Sequence, residues 1–170
     1  METKSYLTFA VCLICIYSVP VFLFGSTIVV EGQNDPNVDL TAVQDAVDNY
    51  SCVILKGKFD FRTPGSPEKP RLGVVIERDN VTVMGDKSGA TIYGGWVFWF
   101  LPEAQRRPAI RIKANGVKIS NLRFEETGGA IEILESKRRS GGCIQIVNNS
   151  IDTKAMGVTV FGHSCPIKIY

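Results

Sequence analysis

The chain has 170 residues, room for one domain and a small appendage. Charged residues make up 21% and hydrophobic residues 45%, which excludes a disordered polar chain, and 5 cysteines are too few for a disulfide-built scaffold. With 19 basic against 17 acidic residues the net charge is +2, which lacks the basic excess of an electrostatic nucleic-acid binder.

The N-terminus reads as a targeting segment. Lys4 is followed by an uncharged, largely apolar stretch over residues 6–24. That length falls between a secretory apolar region and a membrane-spanning helix, so residues 1–26 are expected to be a cleaved signal peptide or an uncleaved membrane anchor. The protein is then secreted, periplasmic or held at the cell surface, touching membrane only through this segment. Past it, Cys52, Cys143 and Cys165 remain, enough for one bridge at most, and Cys52 and Cys143 read as buried free thiols. Asn-x-Ser/Thr acceptor motifs stand at Asn49, Asn80 and Asn148.

One amphipathic helix follows, DLTAVQDAVD over residues 39–48, with Leu40, Val43 and Val47 on one face and Asp39 expected as its N-cap. After Ser51 the pattern is strand: short alternating runs at 52–56, 74–77, 81–83, 109–113, 117–119, 131–133, 144–146 and 158–160, many separated by Gly, Asn, Asp or Ser. The runs repeat. VKISNLRF (117–124) lies over IQIVNNSI (144–151), with Asn121 over Asn148. Ile110, Ile131 and Val158 begin matching runs before them, and Val74 begins an earlier copy lengthened by an insertion over residues 96–108.

Two or three very short strands per repeat, with uneven loops, predict an all-β parallel β-helix preceded by a capping α-helix. Inward apolar residues would alternate with outward ones, placing Val75, Arg111, Glu132 and Thr159 in one outward column. Asn121 and Asn148 would share a corner, their amides either turned inward as a ladder or serving as two independent turn residues.

In the order of its parts the chain resembles the right-handed parallel β-helix proteins of the pectin-lyase-like superfamily. TIVV (27–30) is similar to a first strand, the helix to an N-terminal plug, and CVILKGKFDF (52–61) to the strand-Gly-strand after it. VTVMGDKSGATIYGG (81–95) resembles the first full coil, and the segments around Asn121 and Asn148 resemble asparagine-corner repeats. The likeness implies a β-helix domain over residues 27–170 that stops in mid-coil. It would be the N-terminal part of a longer solenoid, covered by a partner, or self-associating at its open C-terminal end.

The resemblance implies a carbohydrate-associated protein, a polysaccharide lyase or glycoside hydrolase, with a non-catalytic surface module as the alternative. Calcium enters only through this likeness, and the sequence itself shows no metal site and no complete catalytic set. Candidate polysaccharide contacts are Trp96, Phe98 and Trp99, whose faces can stack on sugars but which can equally pack back on the solenoid or meet a partner or membrane, and the column pair Arg111 and Glu132, otherwise a surface ion pair of little weight. Glu125–Glu126, Asp86, Asp152, His163 and the basic loop ESKRRSGG (135–142) read as turns or solvated loops.

Overall fold

Alternation of apolar and polar residues at period two produces half-buried strands, and a chain made almost wholly of such runs must pair them with one another. A computed structural model describes residues 26–63, 66–70, 72–95, 102–135, 142–162 and 166–170. The elements are β1 (Thr27–Gln33), α1 (Asp39–Asn49), β2 (Cys52–Asp60), β3 (Arg62–Thr63), β4 (Ser66–Pro70), β5 (Val74–Ile76), β6 (Thr82–Tyr93), a 3-10 turn at Glu103–Gln105, β7 (Ile110–Ile112), β8 (Lys118–Ser120), β9 (Leu122–Leu134), β10 (Ile144–Val147), β11 (Ser150–Phe161) and β12 (Ile167–Ile169). The segment expected to be a signal or anchor, Trp96, Phe98, Trp99, most of the basic loop, His163 and Cys165 lie outside the described residues. No helix among the described residues is long and apolar enough to cross a membrane.

The strands form three parallel ladders. In the first, β1, β2, β6, β8, β10 and β12 pair in that order. In the second, the later halves of β1, β2 and β6 lead to β9 and β11. In the third, β5, β7, the end of β9 and the end of β11 pair in turn. The chain passes from first to second to third ladder and then starts the next row. The β3–β4 hairpin is the antiparallel pair among the described strands. This mostly parallel, all-β arrangement with one helix fits a β-helix.

The repeat register matches the sequence. Val74, Ile110, Ile131 and Val158 align across four rows, and so do Val75, Arg111, Glu132 and Thr159. Inside, Val53, Val83, Ile119 and Ile146 are buried beneath the first ladder, Phe59, Ile92 and Phe124 beneath the second, and Ile110, Ile112, Ile131 and Ile133 beneath the third. Each such side chain contributes about 2 kcal/mol of burial. Burial fades toward the C-terminal end, where Val160 in the fourth row and Ile169 and Tyr170 in the next are exposed. Cys52 and Cys143 are free but only half-buried, because their positions precede the inward ones of β2 and β10.

Helix α1 packs on β1, β2 and β5. Val43, Ala46 and Val47 are buried, and Leu40 is partly buried against the same core. The helix also closes a strand edge. The Gln44 carboxamide accepts from Val75 N (2.8 Å) and donates to Val75 O (3.0 Å), standing where a neighbouring strand would pair with β5. In return, Arg78 donates to Asp48 O (2.7 Å) at the helix C-terminus, where free carbonyls favour a cation. Asp39 does not cap its own helix as expected. It is already helical and buried, and its carboxylate accepts from the backbone amides of Gln33 (2.8 Å), Asp35 (2.9 Å) and Asp60 (2.9 Å). It ties β1, the turn and β2 together because those amides point into the gap between helix and ladder.

The asparagine corner is aligned but carries no inward amide ladder. Ser120 pairs with Val147, so Asn121 lies beside Asn148 in the next row. Both have left-handed φ (55° and 53°) and both are exposed, since that conformation turns the chain and leaves the side chain outside. Asn121 instead bonds outward to carbonyls of the β6 row, and Asn149 ties the next pair of rows, accepting from Leu122 N (3.0 Å) and donating to Ile119 O (3.0 Å).

Candidate functional site

The second ladder presents a polar outer face. Its register stacks Lys58, Thr91, Arg123 and Ser150 in one column, between inward columns of apolar residues. The corner leading into this ladder is uneven. Between the first and second ladders, β2 spends Lys56 alone and the β8–β9 junction spends Asn121 alone, whereas β6 inserts Asp86, Lys87, Ser88 and Gly89.

The extra residues form a ledge with its own bonding. Asp86 Oδ1 accepts from Ser88 N (2.9 Å) and Ser88 Oγ (2.6 Å). Asn121 Nδ2 donates to the Gly85 and Asp86 carbonyls, fastening the ledge to the next row. Gly85 is required at the bend, since a Cβ there would lie 2.0 Å from Asn121 O.

Under the ledge is a groove of about 240 Å³, lined by Ser88, Thr91, Asn121, Arg123, Asn148 and Ser150 among others. The lining residues thus bring three hydroxyls, two carboxamides and one guanidinium to this groove. Arg123 is well exposed, and its Nε lies 3.3 Å from Glu125 Oε1, a pair that water weakens and a ligand anion can displace. Farther along the same ladder, Arg62 bridges Asp60 (2.8 Å) and Glu126 (3.4 Å), with its guanidinium 5.9 Å from the Tyr93 ring centre. Burial alone would raise the Asp60 carboxyl. The hydrogen bonds from Arg62 outweigh it and hold that carboxyl below its ordinary value.

Of the residues singled out from sequence, Arg111 and Glu132 are brought together, but not at an open surface. Glu132 is fully buried and Arg111 nearly so. Arg111 Nε donates to Glu132 Oε2 at 2.6 Å, and Arg106 Nε lies 2.7 Å from Glu132 Oε1 as an ion pair without hydrogen-bond alignment. Residues 102–108 cross the outside of the third ladder and cover the pair. Arg111 also donates to the Glu103 and Arg106 carbonyls, and the Arg106 guanidinium lies 3.9 Å from the Phe161 ring centre. The expected surface ion pair is thus a buried cluster that fastens the insertion. Column geometry foretold the contact; the covering segment depends on tertiary packing.

Glu125 and Glu126 point to different arginines, because Glu126 has left-handed φ (52°) at the second corner. Among the described residues no group of three or more His, Cys, Asp or Glu side chains is placed to hold a metal ion. Sequence reasoning missed Ser88, Thr91 and Arg123. The repeat alignment already set Arg123 over Ser150, which was a usable signal. The four-residue ledge put Thr91 out of step with that alignment. No protein-family model, no curated protein and no solved structure matches the chain.

Proposed function

We propose that the protein is an exported right-handed parallel β-helix of the pectin-lyase-like type that binds acidic polysaccharide along the outer face of its second ladder. The groove beneath the 86–89 ledge carries this reading: an exposed arginine flanked by hydroxyls and carboxamides matches a sugar ring bearing a carboxylate. Among the described residues the groove lining holds no carboxylate to act as acid or base in glycoside hydrolysis, and this favours the binding reading over a hydrolytic one. The apolar N-terminal segment supports export.

Calorimetric titration with oligogalacturonate and with a neutral glucan oligomer of equal length tests it. The acidic oligomer binds, the neutral one binds at least about tenfold more weakly, and R123A removes most of that difference, as loss of a charge-assisted bond implies. Equal affinities, or an unaffected R123A, would overturn the assignment. Release of unsaturated or reducing ends from the acidic polymer, with or without calcium, would restore the enzyme reading.

A further inference from the structure

We propose that Asn148 is an N-glycan acceptor and that its glycan fills the groove of the second ladder, so that modification and ligand compete for one surface. The inference rests on the export reading above. Asn148 and Ser150 complete an acceptor motif, and both line the groove. Of the two adjacent asparagines, Asn149 has its carboxamide engaged at both ends. Asn148 is exposed, projects from a left-handed corner, and has no hydrogen-bond partner on its carboxamide among the described residues. The other motifs differ. Asn49 is exposed, yet its Nδ2 donates to Asp45 O at 2.8 Å, and neither Asn49 nor Asn80 lines the groove.

The reaction needs an oligosaccharide carried on a lipid pyrophosphate and a membrane-bound transferase. Asn148 Nδ2 attacks the anomeric carbon, forming the N–C bond. The C–O bond to pyrophosphate breaks, the pyrophosphate leaves with the electron pair, and the amide proton passes to a base on the transferase. The first sugar is then tethered at the groove's rim, facing Ser88 and Arg123 across a space of about 240 Å³.

The test is expression of the full chain with its own N-terminus in cultured eukaryotic secretory cells. Peptide mass mapping should show a glycosidase-sensitive adduct on Asn148, absent in N148D and retained in S150T. Aspartate is chosen because it tolerates the left-handed corner. Occlusion is read without any polysaccharide. Site-resolved maleimide labelling at S88C should be at least about tenfold faster in S88C/N148D than in S88C alone. A chain in the medium with unmodified Asn148 overturns the acceptor assignment alone, leaving the export and binding readings intact. A modified Asn148 with equal labelling rates overturns the occlusion. A chain retained in the cytosol overturns the export reading and this inference together.

Discussion

Replacing Glu132 by glutamine isolates the buried cluster over the third ladder. Glu132 is fully buried, Arg111 is 4% exposed and Arg106 is 7% exposed, so neither guanidinium can turn to water when the carboxylate is neutralised. Removing one partner of a buried ion pair costs about 3–5 kcal/mol, because the remaining charge stays desolvated. Here two cations lose one shared anion. Arg111 keeps its bonds to the Glu103 and Arg106 carbonyls, which places the expected loss near the lower bound, about 3 kcal/mol. With a urea slope of about 2 kcal/mol/M, the unfolding midpoint of E132Q should fall by about 1.5 M. The segment over residues 102–108 should become protease-sensitive before the chain unfolds, since it is fastened through Arg106. An E132L/R111M/R106M variant should recover most of the lost stability, because the desolvation penalty disappears with the charges. A midpoint shift under about 0.5 M in E132Q, with unchanged proteolysis, would refute the view that this cluster is electrostatically committed.

Three other substitutions probe the joints of the fold. D39A strips the acceptor from the amides of Gln33, Asp35 and Asp60, so stability should fall by about 3 kcal/mol in urea titration, with those three amides exchanging faster. Q44A uncovers the edge of β5; the Val75 amide should lose exchange protection, and stability should fall by about 1 kcal/mol. For Asp60 the folded carboxyl is held below its ordinary 3.8, so its pairing with Arg62 stabilises the fold above that pH and is lost as the pH drops through the folded value. Melting curves of wild type and D60N should therefore differ at pH 6 and converge as the pH falls through the lowered folded value.

Sequence patterning alone determined most of the strands, their repeat and the column of the third ladder. Period-two alternation is a local property of the backbone, and the recurrence of Ile110, Ile131 and Val158 specifies which runs lie side by side. The helix face of Val43 and Val47 was legible for the same reason. Tertiary structure decided what lies over those columns. Arg111 and Glu132 stacked as their spacing required, yet whether water or protein covers them depends on where residues 102–108 return, and no periodicity encodes that path. Asp39 had the chemistry of a cap, but a carboxylate bonds whichever amides the packed chain brings within reach, and here those belong to β1, the turn and β2. The groove arises the same way. Thr91, Arg123 and Ser150 come from three rows, and they face one space only because four extra residues at one corner project over them.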